Sequence, residues 1–245
     1  MITNPKGISG FTAVIMAGGE GTRLAPYTHI LPKPLLPVGG RSILDLVITG
    51  LVEAGCRRVI LCTGYLDHLI RIYVGTGERW GVEVEYFHED RPLGTVGAVA
   101  LLSDLPEDGF LVMNGDILTD LRFQDLLADH REWDADLTIA AYRRTVQESL
   151  GVIEADSEMK ITGYREKPET EYLVSTGIYV FGPGAVSAMS PGERLDLPDL
   201  VHRLIYQGKH LRARLHTGTW LDLGRPDDLL RANEEFGDAT TPPHV

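Results

Sequence analysis

The sequence predicts an α/β fold: a mixed, mainly parallel sheet in a Rossmann-like, three-layer α/β/α arrangement with a small antiparallel insertion. Two patterns carry this. Through roughly the first 120 residues, apolar β-type runs alternate with helical periodicity, and strands separated by helices need crossover connections and pair in parallel. From Gly151 onward the rhythm changes to short strands about an acidic turn, then returns to helix. At 245 residues with 43% hydrophobic content, the chain can bury a full core without disulfide or metal staples.

In chain order, TAVIMAG (12–18) reads as a buried strand. SILDLVITGLVEAG (42–55) reads as a helix with Ser42 as N-cap, Asp45 three residues on and Gly55 as its stop. RRVILCT is the next strand, LDHLIRIYV a short helix, VEVEYFH a strand, TVGAVALLSD a helix and GFLVMNGD a strand. RFQDLLADHRE is a helix and ADLTIAAYR a strand. GVIEADSEMKITGYREKP reads as two short strands, followed by the strand YLVSTGIYVFG. LPDLVHRLIYQG and RPDDLLRANEEF are helices. Residues 11–237 are expected to form one domain between loose tails at 1–10 and 238–245, which are Gly/Pro/Thr-rich and aperiodic.

Composition removes several function classes. A net charge of −12 argues against binding nucleic acid through a general basic surface. No apolar run approaches the roughly 18 residues of a membrane span, and the start MITNPKGISG lacks the features of a secretory leader, so no membrane partner and a cytoplasmic location are expected. Cys56 and Cys62 are the only cysteines and lie in no C-x-x-C or Cys/His cluster, which points away from a disulfide framework or zinc.

The stretch AVIMAGGEGTRLAPYTHILPKPLLPVGG holds the densest chemistry. Gly18, Gly19 and Gly21 follow the first strand, where backbone N–H groups can converge on an anion. Thr22 adds a hydroxyl donor and Arg23 a planar fork suited to phosphate. Lys33, between Pro32 and Pro34, is an ammonium on a stiff segment. This is not the dinucleotide fingerprint, because Leu24 stands where the third small residue is needed and LCTGY lacks the ribose-binding acid; nor is there a Gly-Lys-Ser/Thr of a Walker A loop.

AGGEGTRLAPYT…LPKPLLPVGGRSILD, continued by PLGTVGAV, NGDIL, EKP, GIYVF and WLDLGRPDDLLRAN, resembles the sugar-1-phosphate nucleotidyltransferases, the NDP-sugar pyrophosphorylases. The likeness runs from about residue 11 to 236. It implies the fold of nucleotide-diphospho-sugar transferases and transfer of a nucleotidyl group from an NTP to a sugar 1-phosphate, with pyrophosphate leaving. By resemblance, Arg23 and Lys33 bind the triphosphate and Lys167 the incoming phosphate. Ala17, Gly18, Gly19, Gly21, Thr22, Glu89, Gly94 and Thr95 belong to the nucleotide site. Asn114, Gly151, Glu166, Gly177 and Trp220 belong to the sugar site, and Asp116 and Asp222 hold Mg²⁺. Oxygen-only ligation suits that hard cation. None of the eight histidines is given a catalytic part, since a sugar phosphate is already largely dianionic at neutral pH, its second pKa being about 6.

Two departures bear on substrate. Gly94-Thr95-Val96-Gly97-Ala98 has Val where the family commonly has Ala, and Ser175-Thr176-Gly177 replaces Asn-Ala-Gly, removing an amide able to read sugar hydroxyls. Glu89, acceptor-only when ionised, favours guanine, whose N1–H and N2–H lie on one edge; thymine or uracil remains the alternative. No hexapeptide β-helix repeat follows residue 237, so acetyl transfer is not expected. Relatives of this kind often form dimers or tetramers, which leaves a homo-oligomer open. A rival reading, a non-catalytic subunit that senses nucleotide sugars, would be expected to have lost the phosphate cations or a metal carboxylate, and this chain keeps them.

Overall fold

The computed structural model describes residues 10–236; the expected tails at 1–10 and 238–245, save Gly10, lie outside the described residues. The strands are β1 (Phe11–Ala17), β2 (Pro37–Val38), β3 (Arg41–Ser42), β4 (Cys56–Thr63), β5 (Glu83–His88), β6 (Phe110–Asn114), β7 (Ile117–Thr119), β8 (Leu137–Gln147), β9 (Val152–Ala155), β10 (Ile161–Arg165), β11 (Glu169–Phe181), β12 (Leu211–His216) and β13 (Trp220–Asp222). The helices are α1 (Ile43–Glu53), α2 (Asp67–Val74), α3 (Phe123–Glu132), α4 (Pro183–Ser187), α5 (Leu197–Tyr206) and α6 (Pro226–Phe236).

Seven strands form one sheet in the order β12-β8-β11-β6-β1-β4-β5. All neighbours pair in parallel except β11, which runs antiparallel to both β6 and β8. The sheet is therefore mixed and mainly parallel, as the alternation of strands and helices requires. Both faces are covered, and, apart from Cys56 at the irregular start of the β1–β4 pairing, the buried strand residues divide by parity. Ala13, Ile15, Val59, Leu61, Leu111 and Met113 join one core with α1, α3 and α6, whereas Val14, Ile60, Cys62, Phe110 and Val112 join another with α4 and α5. Period-2 side-chain alternation makes this the expected outcome for strands apolar at consecutive positions.

α1 starts as its sequence dictates: Ser42 Oγ accepts the Asp45 N–H at 3.1 Å, a cap that contributes about 1 kcal/mol. It buries Ile43, Leu44, Val47, Ile48 and Leu51, each stabilising by about 1.5–3 kcal/mol. Gly55, at φ +94, ends the helix and turns the chain into β4.

One expected helix does not form. TVGAVALLSD yields only a 3₁₀ turn over Gly97–Leu101. The segment is pinned to the 193–197 loop: Val96 N donates to Leu195 O, Leu195 N donates to Leu93 O, and the Thr95 hydroxyl accepts Leu197 N and so starts α5 rather than its own helix. Gly97 lies where an added Cβ would sit 2.6 Å from Glu193 O, so this close approach, not helical propensity, sets its conformation.

Sequence periodicity also leaves out the short edge strand β12, whose Arg212 and Arg214 break an apolar pattern, and the two-residue and three-residue ribbons β2–β3 and β7–β13. The antiparallel insertion is present as β9–β10, with the Asp156 carboxylate accepting the Glu158 and Lys160 N–H groups in the acidic turn between them.

Candidate nucleotidyl-transfer site

The chain leaves β1 for β4 and β5 on one side of the sheet, then returns to place β6 on the other. Strand order thus reverses between β1 and β6, and crevices at such switch points, outside the carboxyl ends of the strands, are where open α/β sheets bind ligands. Gly115 N donates to Met16 O at 3.0 Å, which holds the two strand ends together. A cleft of about 820 Å³ opens there. It is lined by Ala17, Gly18, Gly19, Gly21, Thr22, Arg23, Lys33, Glu89, Gly94, Thr95, Asn114 and Asp116, twelve of the residues expected to be functional.

Gly21 has φ +63, and a Cβ there would lie 2.9 Å from Thr28 Cγ2 and 3.1 Å from Lys33 Cβ. Thr28 is buried and donates its hydroxyl to Gly21 O at 3.0 Å. Lys33 follows in a 3₁₀ turn with Pro34, is 9% exposed, and pairs its ammonium with Asp116 Oδ2.

Asp222 reaches the same place from the far end of the chain. β13 pairs Asp222 with Ile117, and Leu223 N donates to Asp116 O at 3.0 Å, so the two aspartates are neighbours across a short ribbon. Though much of Asp222 is open to solvent, its carboxyl faces a crowded mouth. Desolvation and then the Asp116 charge push its pKa above the usual carboxylate range, against the pull of Lys33 and Arg23. Arg23 lies beside Asp222 at Gly224, where a Cβ would be 3.4 Å from Arg23 Nη1.

At the other end of the cleft, Glu89 is half-buried. Its Oε2 accepts Leu93 N at 3.0 Å, and its Oε1 lies 2.8 Å from where a Gly18 Cβ would be. Burial raises its pKa, with the Leu93 hydrogen bond and nearby His88 opposing. One carboxylate oxygen therefore braces the 89–93 turn and the other lies against the glycine loop.

Besides Asp222, which adjoins Asp116, five expected residues do not line this cleft. Gly177 and Trp220 adjoin it. β11 carries extra residues against β8 between Ser175 and Tyr179, and this bulge presents Gly177 (φ +78) so closely that a Cβ would sit 2.8 Å from Asn114 Nδ2. Trp220 Nε1 donates to Thr176 O at 2.9 Å. Thr176 spends its hydroxyl on Ala140 O, while Ser175 donates to the Tyr179 hydroxyl at 3.2 Å. Tyr179 is pushed up in pKa by burial and, further, by the charges of Asp116 and Asp222, with the Ser175 hydrogen bond opposing.

Gly151, Glu166 and Lys167 form a separate group on the β9–β10 hairpin. The Tyr164 hydroxyl donates to Glu166 Oε2 at 2.9 Å and packs on Gly151, where a Cβ would meet it at 1.9 Å. Lys167 has φ +43 although it is not glycine, and it makes no ion pair or hydrogen bond among the described residues. Such backbone outliers cost about 1–3 kcal/mol and cluster at functional sites.

Arg91 and Arg194 on the cleft rim escaped the sequence reading, because isolated arginines in loops carry no spacing signal. Arg194 belongs to the loop stitched to Leu93–Val96, a contact between segments about a hundred residues apart.

Among the described residues no three or more His, Cys, Asp or Glu side chains converge as a metal site. Asp116 in the cleft and Asp222 beside it nonetheless fit a hard divalent cation, a kind of ion that can be bound through one or two carboxylates with phosphate and water oxygens completing the shell. Both cysteines are buried and free of disulfides, and burial raises both thiols, that of Cys56 to about 12, which disfavours the reactive thiolate.

Residues 12–239 match the nucleotidyl transferase family, and the chain belongs to it. It is 34% identical over 235 residues to the mannose-1-phosphate guanylyltransferase catalytic subunit beta of Drosophila pseudoobscura pseudoobscura, covering 91% of this chain and 61% of that protein. It is 32% identical over 238 residues to the glucose-1-phosphate thymidylyltransferase of Streptomyces griseus, covering 94% and 67%. The chain thus spans about three-fifths to two-thirds of the length of these relatives. A Bacillus anthracis protein solved in complex with sucrose shares the fold at a TM-score of 0.76 and 24% identity, over 96% of this chain and 98% of that one. No helix among the described residues is long and apolar enough to cross a membrane.

Proposed function

We propose that residues 11–237 form a Mg²⁺-dependent sugar-1-phosphate nucleotidyltransferase that makes an NDP-sugar and pyrophosphate from an NTP and a sugar 1-phosphate. The observation that carries this is the convergence of a glycine loop, Arg23 and Lys33 with Asp116 and Asp222 at the switch point between β1 and β6. Backbone N–H groups of Gly18–Gly21, the Thr22 hydroxyl and the two cations bind the triphosphate. Asn114, Gly177, Trp220, Gly151 and Glu166 frame the sugar, and Lys167 holds the attacking phosphate.

A phosphate oxygen of the sugar 1-phosphate attacks the α-phosphorus, and the bond to the bridging oxygen breaks as pyrophosphate leaves. No general base is needed, because the attacking group is already ionised. Catalysis then rests on positioning and on cations facing the charge that develops. Enzymes of this family generally use a divalent metal; held by Asp116 and Asp222, Mg²⁺ would neutralise phosphate charge.

Guanine is the base favoured by the Glu89 carboxylate, which lines the cleft while its Oε2 accepts the Leu93 N–H. Thymine or uracil is the alternative, since one relative is named for guanylyl transfer and another for thymidylyl transfer. Nucleotide substrates and two unpaired cysteines favour a cytoplasmic setting.

The test is pyrophosphate release from GTP, dTTP, UTP, ATP and CTP crossed with hexose and heptose 1-phosphates, with and without Mg²⁺. Metal-dependent release with one nucleotide and one sugar phosphate is the expected outcome. Silence across the panel from folded protein that still binds a nucleotide sugar would favour the sensing subunit instead.

A further inference from the structure

Lys33 has two anionic claims on one ammonium. The structure pairs it with Asp116, yet the same side chain lines the cleft beside the glycine loop where a triphosphate would lie. Its backbone cannot move to choose between them. Pro32 and Pro34 fix the flanking φ angles, Leu35 N donates to Pro32 O at 2.8 Å, and Leu36 N donates to Lys33 O at 3.0 Å. Only rotation about the side-chain bonds can exchange partners.

The charges around Asp116 make that exchange consequential. Two carboxylates, Asp116 and Asp222, are faced by two cations, Lys33 and Arg23, with Asp228 adding further negative charge near Asp222. A divalent cation arriving alone would have to displace a nearly buried ammonium and leave it without a counter-charge, which is costly. An arriving triphosphate removes the obstacle, since it offers Lys33 a new anionic partner and frees Asp116.

We infer that Lys33 is a stand-in cation that keeps metal off Asp116 until nucleotide is bound, so that metal and nucleotide affinities are coupled through this one side chain. The inference rests on the reading of Asp116 and Asp222 as metal ligands. Coupling of this kind is reciprocal and typically amounts to about 5- to 150-fold in affinity.

The test measures binding of Mn²⁺ alone to the full chain by the loss of its free EPR signal, in wild type, Lys33→Met and Lys33→Gln, with melting curves to verify folding. Both variants should bind Mn²⁺ about tenfold or more tighter than wild type, and adding Asp222→Asn should remove the gain. Equal affinities in all three proteins, still abolished by Asp222→Asn, would overturn the stand-in role and leave the metal ligands in place. Binding indifferent to Asp222→Asn would instead overturn the ligand assignment and the inference with it. Should neither Lys33 variant fold, wild type decides alone: Asp222-dependent Mn²⁺ binding on the order of micromolar without nucleotide overturns the inference.

Discussion

The two ends of β6 hold polar groups in opposite ways. At its start, Gly109 packs on the ring of His130, whose Nδ1 lies 2.8 Å from Thr138 Oγ1 in a fully buried setting. Burial lowers that imidazole to about 4, so it stays neutral and serves only the fold. At the other end, Asn114 and Asp116 open onto a cleft where charges face one another and solvent. Polar groups satisfied internally mark scaffold; charges whose main neighbours are other charges at the mouth of a sheet mark chemistry.

Asp116→Asn tests that division most severely. Turnover should fall about a thousandfold, the scale of losing a principal electrostatic contact, while circular dichroism stays unchanged because Asn keeps an acceptor for Lys33. A variant with wild-type turnover at saturating Mg²⁺ would erase the distinction between the two ends.

At the buried end the readout is stability. An unfolded chain protonates His130 near 6.5 and the folded one only near 4, so the unfolded state binds more protons between those values. Stability contributed by the neutral ring is therefore complete above about pH 6.5 and falls by about 3 kcal/mol as pH drops to 4. Urea unfolding should show this slope, and His130→Gln should flatten it without altering turnover at pH 7. An unchanged slope would mean that another group titrates.

Gly21→Ala should cost about 1–3 kcal/mol, from left-handed backbone and the crowding of Thr28 and Lys33 together. A melting temperature within a degree of wild type would show the loop to be looser than its contacts imply.

Glu89→Gln should shift kcat/KM for GTP relative to dTTP or UTP by about tenfold. Acidification should act in the same direction on wild type, because burial raises the Glu89 pKa and protonation removes the acceptor charge. The variant's ratio should be flat with pH; a wild-type ratio equally flat would take Glu89 out of base recognition. The smallest effect is Lys167→Gly, expected to raise stability by about 0.5–1 kcal/mol by relieving φ +43. A loss of stability would show that the side chain packs in a way its exposure conceals.

Much of this was legible beforehand, for identifiable reasons. The strands ending at Ala17, Thr63 and Asn114 are apolar runs bounded by glycine, and the α1 cap is a local code that reads the same in any context. The glycine loop, Arg23 and Lys33 fall within about twenty residues, so their convergence on one cleft needed no long-range information. What sequence could not supply was contact across distance. Thr95 reads as the start of a helix until Asp196 and Leu197 claim its amide and hydroxyl. Arg194 becomes a cleft residue only through that same stitch. Glu89 reads as a free base reader, yet half of its carboxylate is committed to Leu93.

The bulge in β11 has a consequence for how this site can change over evolutionary time. Register is locked on both flanks, from Glu169 to Ser175 against β8 and from Ile178 to Phe181 against β6, while Thr176 and Gly177 carry the slack. Substitutions or a one-residue length change there would reshape the wall between Asn114 and Trp220 without moving a single pair of the sheet. The protein thus keeps a hard frame with a soft seam, and the seam runs along the side of the cleft proposed to hold the sugar.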